Sequence, residues 1–409
     1  MAHVYDNWER LVRTILRMED LRYTGERTPS DVSAISLLSS SFNLSSTASS
    51  PLRPISSFNF STLLLSAAGE AFEYAEILAA TGYLSKSNLI KRGRSGDLFR
   101  GSLRGNTPVV VKRIDLSSSV EKQARLITEL GVLGKVSHSR LVPLLGYCME
   151  NGINDDKFLV YKYMPYKDLS SFQGLEGDDE SSQSLDFVRR MKIAIGAAEG
   201  LCYLHEECNP PLVHRDIQAT SILLDDRFEV RLGSLSEVYA QKRETTESRQ
   251  NIISRFLRLP QRRSSNQGTS GTPEATWADD VYCFGKVLLQ LVTGKLGISA
   301  SSEAVMKVWL EQTLPYISIY DKELVTKIID PSLFIDEELL EEAWAVAIVA
   351  RSCLNPRPSM RPLMRFVLKA LENPHEVVRE PTSSSHEIEE EEVLLPQQAT
   401  RNPVFSNMD

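Results

Sequence analysis

The side chains of this chain best suited to chemistry are concentrated in LVHRDIQATSILLDD, residues 212–226, and in RLGSLSEVY just downstream. The first segment sets His214, Arg215 and Asp216 side by side, followed by a side-chain amide at Gln218 and a hydroxyl at Ser221. The second opens on Ser234-Leu235-Ser236, with Asp225, Asp226 and Glu237 as the nearest carboxylates in sequence. A hard divalent cation such as Mg²⁺ favours carboxylate and phosphate oxygens in octahedral geometry. Ser234 carries no charge, and a Ser221 hydroxyl is a short, weak ligand. Gln218 can donate a hydrogen bond but supplies no positive charge. The five cysteines, Cys148, Cys202, Cys208, Cys283 and Cys353, are scattered without metal-ligand spacing, which points to a reducing compartment without disulfides.

The elements that must hold these groups lie upstream and downstream of them. PVVVKRI, residues 108–114, alternates as a half-buried strand and carries Lys112, and Glu129 follows in RLITELGVLGKVSH. Upstream lies AFEYAEILAATGYLSKSNLIKRGRSGDLFRG, residues 71–101, with Gly93 and Gly96 in its second half. FLVYKYMP, residues 158–165, lies between these and the catalytic segment. Downstream, DVYCFG (residues 280–285) and CLNPRPSMRPLM with Arg361 sit among apolar helical stretches such as Glu337–Leu354 and Pro362–Glu372.

In this order the motifs resemble the kinase domain of plant leucine-rich-repeat receptor-like protein kinases, over about 300 residues. The resemblance implies an α+β, bilobal protein kinase-like fold within residues 67–374. Its small β-rich lobe would span about 67–164 and its large helical lobe about 165–374. A helix from Phe72 to Thr81 is expected on the small lobe, followed by two strands and a phosphate-covering turn. There glycines let backbone amides approach phosphates. Lys91 stands at the first glycine position of that turn, while Gly93 and Gly96 keep the other two.

By the same resemblance Lys112 contacts nucleotide phosphates and is held by Glu129. Tyr161 is the gatekeeper, Met164 the backbone donor to adenine, and Val110 a further nucleotide-contacting residue. Asp216 takes the position that accepts the substrate hydroxyl proton. Gln218 replaces the lysine that steadies the γ-phosphate. Ser221 and Ser234 replace the asparagine and aspartate that hold metal, so no metal site is expected.

Losing one preorganised electrostatic stabiliser costs about 10²–10³ in rate. These replacements therefore imply a catalytically impaired pseudokinase that serves as a binding or scaffold module, with weak ATP binding at most and no Mg²⁺. The alternative is a weakly active ATP-dependent Ser/Thr protein kinase. Pro273-Glu274 lies too close to Asp280 for the family's usual intervening helix, so a shortened or absent peptide platform is expected. Arg361 would then lack its usual glutamate partner, and Glu274 is not expected to replace it.

A net charge of −8 and a pI near 5.5 disfavour nucleic acid as a partner. Expected partners are other protein kinases or receptor complexes. No apolar run approaches the roughly 18–20 residues a bilayer requires. The chain as written therefore reads as cytoplasmic, or as lying on the cytoplasmic face of the plasma membrane if the protein carries the family's span. Residues 1–32 form a basic amphipathic segment with Trp8, Leu11, Val12, Ile15 and Leu16 on one helical face. That segment resembles the extreme N-terminus of plant callose (1,3-β-glucan) synthases, and no glycosyltransferase activity is carried over from it. Residues 33–66 read as a Ser-rich disordered linker and 375–409 as an acidic disordered tail.

Overall fold

The computed structural model describes residues 69–116, 120–150, 155–172, 185–240, 276–298, 301–333 and 336–378. The expected N-terminal helix, the linker, the shortened peptide platform and most of the acidic tail lie outside them.

The small lobe is a six-stranded sheet. Its strands are β1 (Glu70–Ala71), β2 (Leu89–Gly93), β3 (Gly96–Leu103), β4 (Thr107–Asp115), β5 (Leu144–Cys148) and β6 (Asp156–Lys162). Their spatial order is β1-β5-β6-β4-β3-β2, with only the β1–β5 pair parallel. Strand periodicity divides the lobe. Val109 and Val111 of β4 join Phe158 and Val160 of β6 in an outer cluster, against Ile77 of helix α1 (Tyr74–Ala80). The alternate residues Val110, Ile114, Leu159 and Tyr161 belong to the main core facing the large lobe. Helix α2 (Val120–Leu133) packs on that inner side, burying Leu126 and Leu130.

α1 is shorter than the expected Phe72–Thr81. Glu73 caps it in a reciprocal box with Glu76, and the Phe72 amide donates to Tyr147 O at 2.8 Å, so Phe72 prolongs the sheet edge. At the other end Gly82, Tyr83 and Leu84 are left-handed, which ends the helix.

The large lobe begins with α3 (Phe187–Cys202), whose N-cap Asp186 accepts from the Arg189 amide. A Cβ at Gly200 would stand 2.7 Å from Leu232 Cδ1, so glycine allows α3 to approach the hairpin of β8 (Ile222–Leu224) and β9 (Val230–Leu232). A second small pair joins β7 (Leu212–Val213) to β10 (Tyr239–Ala240). The helices α4 (Trp277–Thr293), α5 (Glu303–Thr313), α6 (Glu337–Cys353), α7 (Met364–Glu372) and α8 (Pro374–Val378) complete the lobe. The main core includes Val281, Phe284 and Leu288 of α4 together with Val346 and Ala350 of α6. The α+β, two-lobed architecture is therefore as expected. Among the described residues no helix is long and apolar enough to cross a membrane.

Candidate active site

Lys112 reaches Glu129 from β4. Its Nζ lies 2.6 Å from Glu129 Oε2, and both side chains are at least nine-tenths buried. Tyr161, one strand over on β6, donates its hydroxyl to the other carboxylate oxygen of Glu129 at 2.5 Å. Burial and the neighbouring Glu129 push the Tyr161 phenol well above its ordinary range, so it stays a donor. Both oxygens of Glu129 are thus engaged, which fixes α2 against the sheet. Val110 is the register partner of Tyr161 and Lys112 that of Leu159, so three of the expected nucleotide-contacting side chains converge on one face. Met164 follows, buried. Its carbonyl accepts from the Lys167 amide at 3.0 Å, while its own amide has no partner among the described residues.

The β2–β3 hairpin is tight, with Gly93 paired to Gly96 and only Arg94 and Ser95 between them. Gly96 has φ +143°, and a Cβ there would meet Arg113 O at 2.5 Å. Glycine is required at that position by the sheet itself, whatever binds beneath it. Lys91, at the first glycine position, is exposed.

The catalytic loop hangs from α4. Asp280 accepts from the His214 amide at 2.6 Å and the Arg215 amide at 2.7 Å, and His205 Nε2 lies 2.9 Å from it. Burial works to raise the Asp280 pKa, and these partners more than offset it, so the group is held below the usual carboxylate range. Arg215 sits at φ +69°, stabilised by the two amide bonds to Asp280. His214 donates from Nε2 to Gly233 O at 2.8 Å and accepts from the Asp216 amide at Nδ1. That fixes the neutral tautomer, and burial keeps the ring's pKa low.

Asp216 accepts from Gln218 Nε2 at 2.7 Å. Ser221 is buried, and its hydroxyl accepts from the Gln218 amide at 3.0 Å and donates to the Gln218 carbonyl at 2.9 Å. The hydroxyl therefore closes the turn Ala219–Ser221, with its one proton spent on that turn. Ser234 is exposed and left-handed, at φ 58° and ψ 38°, between Gly233 and a buried Leu235.

The three neighbouring carboxylates are committed elsewhere. Asp225 accepts from Arg231 and from the amides of Arg227 and Glu229, and Asp226 pairs with Lys162 at 2.9 Å. Glu237 pairs with Arg125 of α2 at 2.9 Å. Among the described residues no group of three or more His, Cys, Asp or Glu could hold a metal.

Sequence reasoning missed the Gln218–Asp216, Tyr161–Glu129 and His205–Asp280 bonds, because side-chain reach across strands and turns has no signature in spacing. The partner of Arg361 is also new. Its guanidinium donates to Asn355 O and Ala278 O at 2.9 and 2.7 Å, approaches Asp279 at 3.4 Å and stacks over Tyr282. Glu274 lies outside the described residues.

Comparison with known proteins agrees with this geometry. A family model described as protein tyrosine and serine/threonine kinase matches residues 84–371. A probable LRR receptor-like serine/threonine-protein kinase of Arabidopsis thaliana is 58% identical over 325 residues, covering 79% of this chain and 34% of that protein. The leucine-rich repeat receptor-like protein kinase PEPR1 of the same plant is 32% identical over 323 residues, 76% of this chain and 27% of its own length. The probable serine/threonine-protein kinase PBL21, also from Arabidopsis thaliana, is 32% identical over 303 residues, covering 74% of this chain and 76% of the relative. The chain thus spans about a third of the first of these receptor-like relatives and less of the second. With a sheet lobe, a helical lobe and the Lys112–Glu129 pair in place, the chain belongs to the protein tyrosine and serine/threonine kinase family, and it is similar to the kinase portions of plant receptor-like serine/threonine kinases.

Proposed function

We propose that this kinase domain is a pseudokinase, a nucleotide-competent binding module that engages receptor complexes or other protein kinases without transferring phosphate. The observation that carries the reading is Ser234. It stands in a left-handed turn at the family's metal-aspartate position, and the neighbouring carboxylates Asp225, Asp226 and Glu237 are each bound to an arginine or lysine elsewhere. Mg²⁺ needs anionic oxygens, and the remaining family position, Ser221, has its hydroxyl bonded within its own turn. The residues present do not fit the metal, so no catalytic step is derived through it.

ATP is a different matter, and protein kinase domains in general bind it. Lys112, held by Glu129, would meet the α- and β-phosphates, and the Met164 amide is available for adenine. Bound ATP would contribute its triphosphate charge and adenine edge. The chain's own part is to hold one ammonium and one amide in position and to supply no counter-charge beyond the β-phosphate, because Gln218 is neutral. Affinity is therefore weak and indifferent to divalent metal. Thermal shift of the protein with ATP, with and without Mg²⁺ or Mn²⁺, checks this, and stabilisation that requires the metal would refute it.

One observation favours a second reading, a weakly active Ser/Thr kinase. Asp216 and the Lys112–Glu129 pair keep the placement that such chemistry uses. Autophosphorylation of the full chain, compared with an Asp216→Asn control, separates the two. Under the pseudokinase reading both show the same background label, and Ser234→Asp alone restores nothing. The triple change Ser234→Asp, Ser221→Asn, Gln218→Lys recovers measurable label. Label in the unmodified chain that Asp216→Asn abolishes would establish the second reading instead.

A further inference from the structure

We propose that Lys91 is the second cation of the nucleotide site, and that with Lys112 it makes that site a metal-free binding site for the diphosphate of an adenine nucleotide. The proposal rests on the reading of the domain as metal-independent, and adds to it the ligand class and the residue that recognises it.

Strand register puts the two lysines on one face. Lys91 of β2 pairs with Leu98 of β3, Leu98 pairs with Lys112 of β4, and Lys112 pairs with Leu159 of β6. Residues directly opposite one another across a sheet project to the same side. Leu159 belongs to the main core that faces the large lobe, so Lys91 shares that inner face with Lys112. The irregularity in β2 lies between Leu89 and Lys91, and pairing from Lys91 to Gly93 is continuous. Two strand spacings separate the lysines, about 10 Å across the sheet. The hairpin turn lies against the Lys112 stem, since a Cβ at Gly96 would stand 3.2 Å from Lys112 Cγ.

Charge on the hairpin is sorted by the same alternation. Arg92 pairs with Asp97, Asp97 with Arg113, and Arg113 with Phe158 of the outer cluster. Arg92 therefore belongs to the outer face, together with the one carboxylate of the hairpin. Lys91 is exposed and makes no ion pair among the described residues, whereas Lys112 is buried against Glu129. The inner face thus holds one neutralised cation and one without a counter-charge. Ile90, beside Lys91, is 52% exposed and adds an open apolar surface.

Lysine on an edge strand ordinarily serves to deter pairing with other strands. Arg92 meets that need from the outer face, so what distinguishes Lys91 is its place in the row of Lys112. Beyond the β-phosphate the large lobe offers Gln218, a neutral amide bonded to Asp216, and the uncharged Ser234. Two cations on the inner face and none further on suit a ligand whose charge sits on two phosphates. An ammonium on a phosphate forms a charge-assisted hydrogen bond and offsets the charge that a metal would otherwise neutralise. A nucleoside diphosphate therefore carries every group the site reads, and a γ-phosphate adds nothing.

Isothermal titration calorimetry of the full chain in EDTA, with adenosine, AMP, ADP, ATP and inorganic pyrophosphate, tests the proposal. ADP and ATP should bind with similar affinity, each about tenfold or more tighter than AMP, the step expected for one hydrogen bond to a charged group. Pyrophosphate should bind more weakly than ADP, because it lacks the base that the Met164 amide can meet. K91A should lower ADP affinity about tenfold and leave adenosine unchanged. R92A removes the same charge from the opposite face and should leave ADP affinity unaltered. Both side chains are exposed, so both variants should keep the native melting temperature without ligand. Equal ADP affinity for K91A and the native chain would overturn the proposal and leave the metal-independent reading intact. An equal loss in R92A would overturn it as well, since the effect would then come from charge at large. ADP binding that requires Mg²⁺, or no binding of any of these compounds, would refute both.

Discussion

Glu129 has two carboxylate oxygens and two donors, and this arrangement dictates how Lys112 can be perturbed. Removing one partner of a buried ion pair strands the other charge, at a cost of about 3–5 kcal/mol. Glu129→Ala should therefore be strongly destabilising, because Lys112 is left buried without its counter-charge. Tyr161→Phe removes one hydrogen bond to a charged group and keeps the packing, so it should cost about 1.5–3 kcal/mol. Denaturant unfolding of the two variants measures both losses, and a Tyr161→Phe protein as stable as the native one would show that the bond contributes nothing. His205 is the other residue whose chemistry is set by a partner. Its Nε2 faces Asp280, while its buried Nδ1 has no hydrogen-bond partner.

Two elements carry the geometry around the site. The β2–β3 hairpin depends on Gly96, where any side chain faces both a positive φ and the Arg113 carbonyl at 2.5 Å. Gly96→Ala should cost more than the roughly 1–3 kcal/mol of backbone strain alone. At Gly93 the nearest atom, Gly96 O, lies 3.0 Å from an added Cβ and φ is unexceptional, so Gly93→Ala should be milder. Thermal unfolding without nucleotide checks the order, and a reversed ranking would mean that the hairpin adopts another register. The start of α4 depends on Arg361. Its planar fork bonds two backbone carbonyls from separate segments while its face covers Tyr282. Arg361→Lys keeps the charge but can neither span both carbonyls nor stack as a plane. It should lose about as much stability as Arg361→Ala, whereas a lysine variant of native stability would mean that charge alone suffices.

At the scale of the whole molecule, the buried His214 and the partly buried His138 set the acid limit. The folded state holds His214 with a lowered pKa, chiefly through burial, although Asp280 and Asp216 oppose that shift and His205 adds to it. His138 is lowered by burial as well. Unfolded histidine titrates near 6.5. Above that value both states are neutral and the contribution is complete. As pH falls below about 6.5 the unfolded chain takes up protons that the folded chain refuses, so stability declines. Asp280, also depressed, adds a loss in the same direction at lower pH, below the ordinary aspartate value. Melting temperature should therefore fall steadily from pH 7 to pH 5, with net proton uptake on unfolding. A flat profile over that range would remove the histidine argument.

Much of this was legible in the residues alone. The alternation of PVVVKRI determined a strand, the apolar stretches Glu337–Leu354 and Pro362–Glu372 located α6 and α7 to within two residues at their ends, and DVYCFG marked the middle of α4 without its bounds. Motif order determined the family, and with it the two-lobed fold and the Lys112–Glu129 pair. The neutrality of Ser234, Ser221 and Gln218 was likewise a matter of residue type. Only tertiary structure decided how each polar atom was used. Phe72 left the expected helix for the sheet edge because its amide met Tyr147 O. Ser221 spent its hydroxyl on its own turn, and Gln218 took hold of Asp216. Arg361 found two carbonyls and an aromatic ring. The physical reason is common to all four. Periodicity and charge are properties of a segment, whereas a hydrogen-bond partner is chosen among atoms that folding brings within about 3 Å, often from positions far apart in the chain.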